Sequence, residues 1–212
     1  MKKIGFTLAE MLITLGVIGI VSALTIPSLI TNNMEAQVGP KLAKVVATFE
    51  QANANLLSAM EVDSLSDTKL LDSTDNYINE LSRYLKLLNY GNDVYMTKDG
   101  IYYAFIISTP RPANTEDSIS DQRLGSLVVA LDNSALDGNG VFGSNTFSFS
   151  LWNDGSLRPT GATNWNGEET SKDGGAFHWK TKCPVGKAPE ATGDYEYCTG
   201  HIFENNLKIL YK

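Results

Sequence analysis

Residues 1–30 read MKKIGFTLAEMLITLGVIGIVSALTIPSLI, two lysines and a glycine ahead of an apolar run in which Glu10 is the only charged side chain between positions 6 and 30. As a helix, those 25 positions would rise about 1.5 Å each, roughly 37 Å in all. That crosses a hydrocarbon core of about 30 Å. A carboxylate at such depth costs about 2.5 to 3.5 kcal/mol even on lenient insertion scales, and residues of this kind have a partner or a function. The segment holds no cation, since Lys2 and Lys3 precede Gly5 and the next lysine is Lys41. A cut between Gly5 and Phe6 would create one: a free amine four residues before Glu10. An axially displaced copy of the chain could offer that amine to the carboxylate, at a depth where low dielectric strengthens the pairing. The charge would then specify register between copies.

The stretch KKIG followed by FTLAEMLITLGVIGIVSALTIP resembles the class III signal of type IV pilins and type II secretion pseudopilins. The resemblance implies cleavage after Gly5 by prepilin peptidase, N-methylation of the new terminal Phe6, and Glu10 as the carboxylate that meets the amine of an adjacent subunit. It implies Pro27 as a helix-bending proline. The partners it implies are other pilin or pseudopilin subunits and an assembly platform in the inner membrane. The location is a single-pass inner-membrane form with its head outside the cytoplasm, then a periplasmic pseudopilus or a cell-surface pilus. The implied fold is α+β, a long amino-terminal helix packed on a head with an antiparallel sheet. Two other readings use the same residues, an ordinary secretory signal cut after Ala23 and a plain membrane anchor. Glu10 would interrupt the apolar core of such a signal, and apolar residues continue past the cut at Leu24, Ile26, Leu29 and Ile30.

At 212 residues, 42% hydrophobic and 19% charged, the whole chain falls within the range of folded proteins and can hold one ordinary globular domain besides this helix. The formal charge is −7, and removal of Met1 to Gly5 takes away two lysines to leave −9. An acidic body argues against indiscriminate attraction to phosphate backbones, so no nucleic-acid partner is expected. The division expected is a leader at 1–5, a transmembrane and assembly helix at 6–30, its amphipathic continuation at 31–62, and a head at 63–212.

Leu42, Val45, Phe49, Ala52, Leu56 and Ala59 recur at alternating spacings of three and four, with Val46 and Met60 broadening the stripe. That is the pattern of a helix with one apolar face. Pro27 should kink the membrane half, and Gly39–Pro40 should bend or unwind the helix a second time. Gly16, Gly19 and Ala23 give the membrane half a small face for close helix approach. A polar exit at 61–75 precedes a second helix carrying Tyr77, Ile78, Leu81, Tyr84, Leu85 and Leu88, capped by Ser73 or Thr74 and stopped by Gly91. VYMTK from Val94 and IYYAFII from Ile101 flank the turn dipeptide Asp99–Gly100. SLVVAL from Ser126 and TFSFSL from Thr146 are further strands, the latter followed by the turn Asn153–Asp154–Gly155. This order predicts an antiparallel sheet of about four strands.

Cys183 and Cys198 are the only cysteines, 15 positions apart. In a head outside the cytoplasm a disulfide is their simplest assignment, and the resemblance agrees with a tied carboxy-terminal loop. Zinc would recruit His178 and His201, in no compact ligand spacing. A better metal candidate than zinc is calcium at Asp132, Asp137 and Asn139, with Asn145 nearby. Leu136 there occupies a position that should carry oxygen, and an Asx-rich turn explains the same residues. No G-x-S-x-G elbow, P-loop or H-E-x-x-H occurs, so neither catalysis nor a resident cofactor is expected. Lys180, Lys182 and Lys187 could form a local basic patch for DNA, but beside an acidic loop they read as solvated. Beside the filament subunit stands one alternative, a membrane-tethered module binding glycans or cell-wall material through Trp152, Trp165 or Trp179, unless those rings are core or loop anchors.

Overall fold

The computed structural model describes residues 7–91, 93–107, 123–133, 140–162, 183 and 194–207, with backbone only at 27–35 and 194–195. It comprises two compact units, Met1–Gln37 and Val38–Lys212. Helix α1 (Leu8–Met60) contributes to both. In the first unit Leu8–Ile26 is long and apolar enough to cross a membrane, and none of it is buried within the protein.

In the second unit α1 has one buried face, as its periodicity predicts: Leu42, Val45, Phe49, Ala52 and Leu56 are buried, while Lys41, Lys44, Gln51 and Asn55 are exposed. The stripe ends sooner than its spacing suggests, with Ala59 and Met60 exposed. No unwound stretch occurs at Gly39–Pro40, since α1 is helical through both. Proline removes one bond from the ladder, and burial of Val38 and Leu42 on either side holds the helix together across it. Gly39 serves packing instead: a Cβ there would collide with the backbone of Leu207.

After α1 the chain leaves through Glu61, in the left-handed region at φ 54, and makes two 3-10 turns, Ser66–Thr68 and Leu70–Asp72. Helix α2 (Thr74–Leu85) starts at Ser73, whose side chain accepts a bond from the Asp75 N–H. It stops before the expected Gly91. Lys86 adopts the left-handed conformation and donates its N–H to the Ser82 carbonyl. Such a conformation is unfavourable by about 1 kcal/mol or more for a side chain with Cβ, so tertiary packing holds it. Leu88 therefore belongs to a strand and is half exposed.

Among the described residues, six strands form one antiparallel sheet in sequential order: β1 (Leu88–Gly91), β2 (Val94–Met96), β3 (Tyr102–Ile107), β4 (Arg123–Ala130), β5 (Thr146–Trp152) and β6 (Leu157–Pro159). The four expected runs are β2 to β5; β1 and β6, of four and three residues, extend each edge. Too short to show a period, they take strand geometry by pairing with β2 and β5. Asp99–Gly100 turns between β2 and β3, and Asn153–Asp154–Gly155 between β5 and β6.

Across β3, β4 and β5, Tyr103, Val129 and Phe147 align, as do Phe105, Leu127 and Phe149. This face receives the helices: the Phe105 ring lies 6.0 Å from Phe49 of α1 and 6.3 Å from Tyr77 of α2. TFSFSL alternates strictly, the pattern common where one face of an antiparallel sheet meets solvent. Every residue of β5 is buried instead. Thr160 Oγ1 donates to Ser148 Oγ at 2.9 Å, and the Arg158 guanidinium sits 3.7 Å above the Trp152 ring. Alternation thus records the polarity of that face, not its exposure. At the sheet edge, a short helix α3 (Cys198–Glu204) bonds to this end of the sheet, with Gly200 N–H donating to Thr160 O at 2.8 Å and Ser148 N–H to Thr199 Oγ1 at 3.0 Å.

Candidate functional site

The charge that the apolar run carries sits in the first turn of α1, and the turn explains how the carboxylate is held. Thr7 precedes the helix, and Thr7-Leu8-Ala9-Glu10 is an S/T-x-x-E sequence. Glu10 Oε2 accepts bonds from the Thr7 backbone N–H and the Thr7 hydroxyl, both at 2.8 Å. In return the Glu10 N–H donates to Thr7 Oγ1 at 3.3 Å. This is a reciprocal capping box, which satisfies two of the amide donors that every helix start leaves open. The negative charge also faces the positive end of the helix dipole. Sequence reasoning sought the partner of Glu10 only in another chain, although the four-residue spacing that announces a capping box was present.

One oxygen does both jobs. A carboxylate offers about four acceptor positions on two oxygens, and Oε1 receives no hydrogen bond among the described residues. Glu10 is exposed on the surface of its unit. The side chain is thus oriented by its own chain, with one oxygen available to a donor from outside. Two threonines of the span are satisfied locally: Thr14 Oγ1 donates to the Glu10 carbonyl at 2.9 Å, and Thr25 Oγ1 to the Val21 carbonyl at 2.9 Å. Local satisfaction is what a helix in hydrocarbon requires. Gly16 and Gly19 leave open space where a Cβ would stand.

Gly5 and Phe6 lie outside the described residues, and so does the side chain of Pro27. Cys183 and Cys198 form a disulfide with their Cα atoms 5.0 Å apart, inside the usual range for such bonds. Their sulfurs are therefore unavailable as zinc thiolates. His201 is buried, and His178 lies outside the described residues. Of the calcium candidates, Asp137 and Asn139 are outside the description, while Asp132 Oδ1 accepts from Asn145 Nδ2 at 3.3 Å. Asn145 Oδ1 in turn accepts from the Val141 N–H at 2.8 Å, the local bonding of an Asx-rich turn. No group of three or more His, Cys, Asp or Glu able to hold a metal occurs among the described residues.

Trp152, the described member of the three tryptophans, is 1% exposed beneath Arg158. A ring in that position is a core anchor and cannot stack on a surface ligand. Trp165, Trp179, Lys180, Lys182 and Lys187 lie outside the described residues. Comparison with protein-family models, with curated proteins and with solved structures yields no match for this chain.

Proposed function

We propose that this chain is a structural subunit, pilin or pseudopilin, of a type IV pilus or type II secretion pseudopilus. Prepilin peptidase cuts after Gly5, Phe6 becomes the methylated amino terminus, and Leu8–Ile26 holds the subunit in the inner membrane until an assembly platform draws it into a helical array. The observation that carries this reading is the single carboxylate of an otherwise uncharged apolar span, Leu8–Ile26, none of it buried within the protein, fixed in the first turn with one oxygen unoccupied among the described residues. A membrane anchor alone needs no such group, whose burial in hydrocarbon is costly.

In this mechanism the capping box does the preparatory work. Thr7 holds Oε2 and keeps the carboxylate at the helix start, while Oε1 takes the amine of a neighbouring copy displaced along the axis. Pairing cancels both charges in a medium where either alone is expensive. Because donor and acceptor lie on different surfaces of the same chain, the contact is heterologous and generates an open array.

Mass spectrometry of the mature chain should find a terminus at methylated Phe6. Filaments imaged on producing cells should disappear in the Glu10→Ala variant. A chain that retains Met1, a terminus at Leu24, or normal filaments of unchanged subunit spacing in Glu10→Ala would each sink the proposal.

A further inference from the structure

The second unit carries opposite charge at two places along α1. At one, a cavity of about 220 Å³ brings together Lys44 of α1, Lys86 at the end of α2, and Lys98 with Asp99 of the β2–β3 turn, over an apolar floor that includes Val45 and Leu85. Lys44 pairs with Asp99. Lys86 and Lys98 have no acidic partner among the described residues. At the other, α1 ends with no basic residue in its last turn, and exposed Glu61, Asp63 and Asp67 follow at once. The carbonyl end of a helix is itself negative, so these acids deepen a charge that the helix already bears. Lys69 is the only cation between positions 61 and 73, and no ion pair involves Glu61, Asp63 or Asp67 among the described residues.

From Lys44 to Met60 the helix rises about 24 Å at 1.5 Å per residue. The acids of one molecule therefore cannot reach its own lysine cavity. A second copy can supply what each end lacks. We infer that the acidic turn at 61–67 of one copy seats on the Lys44–Lys86–Lys98 cavity of the next. The inference rests on the filament reading for its setting and names a contact made by the heads within it.

Both components of the contact match. Met60 is 40% exposed and Val62 is half-buried beside Glu61, so the turn offers apolar surface to the cavity floor along with carboxylates to its rim. Nucleic acid would suit the lysines but would leave the acidic turn unexplained. The same chain explains both. Basic cavity and acidic turn are different surfaces, so the contact does not close on itself and extends as an open series. Single exposed pairs contribute little; several converging on one cavity act together and weaken as salt screens them.

A carbodiimide, which joins a carboxylate to an amine in direct contact without a spacer, tests this on the unsubstituted full-length chain in membranes and in sheared filaments. Amide junctions from Lys86 or Lys98 to Glu61 or Asp63 should appear as a ladder of oligomers, weaker by about five-fold in high salt. Lys86→Glu with Lys98→Glu should cut filament yield by roughly ten-fold, and adding Glu61→Lys with Asp63→Lys to the same chain should restore most of it. Filaments without that junction, cross-linked dimers that never extend, or failed rescue in a chain with unaltered melting would overturn the inference. Ladders from cells that form no filaments would keep this contact and instead defeat the filament reading.

Discussion

At the scale of single residues, Thr7 and Glu10 do two jobs with three hydrogen bonds. They close the start of α1 and, in the proposed assembly, hold the carboxylate in place for the amine of a neighbouring copy. Thr7→Ala removes the hydroxyl and should destabilise the helix start by about 1 kcal/mol, a roughly five-fold rise in amide exchange at residues 8–11 in micelles. Thr7→Ser retains the oxygen and should leave exchange near the original rate. Equal rates in both variants would show that the box contributes nothing. Glycine illustrates the same scale in the head. Gly155, at φ +82, would place a Cβ 2.9 Å from the Asn53 Cβ, so this turn needs glycine for its dihedral and for its clearance. The turn itself was legible from Asn153–Asp154–Gly155; the neighbour 102 positions away was not.

That neighbour belongs to a junction between elements. Tyr77 of α2 donates its hydroxyl to Asn53 Oδ1 at 2.8 Å, and Asn53 Nδ2 donates to the Gly155 carbonyl at 2.7 Å. All of this is buried. Burial of the Tyr77 phenol raises its pKa, against the opposing effect of its bond to Asn53. Tyr77→Phe leaves an acceptor of Asn53 without its donor and should lower stability by about 1 to 3 kcal/mol, measured by thermal unfolding. An unchanged melting temperature would mean that water or relaxation replaces the bond. The disulfide acts between elements too, tying residue 183 to the first residue of α3. Replacing both cysteines by alanine opens a loop of sequence separation 15, worth about 3 kcal/mol in the chain-entropy description, or roughly 6 to 12 °C in melting temperature at this size. Reductant should do the same to the unaltered chain and nothing to the double variant. Helix α2 was legible from its period and from Ser73. Its end was not, because Lys86 takes a left-handed conformation that no local sequence preference marks.

Over the whole molecule, buried polar groups make stability depend on pH. His201 is 3% exposed, and burial lowers its pKa from the ordinary value near 6.5, against a smaller opposing effect of Glu204. The unfolded chain then takes up the proton that the folded chain resists. Stability should therefore fall as pH drops below about 6.5 and level off beneath the depressed folded value. His201→Gln should flatten the melting temperature as pH falls below about 6.5. An unaltered slope in His201→Gln would assign the pH dependence elsewhere. By itself the sequence determined the apolar span with its one acid, the buried stripe from Leu42 to Leu56, the four longer strands and the cysteine pair. Each of these is written in spacing, composition or count, which act over a few residues or need only two candidates. Tertiary structure alone decided the two edge strands, the end of α2, the burial of both faces of β5 and the separation of basic cavity from acidic turn. Those depend on which distant surfaces meet, and pairing or packing energy from such contacts overrides weak local preference.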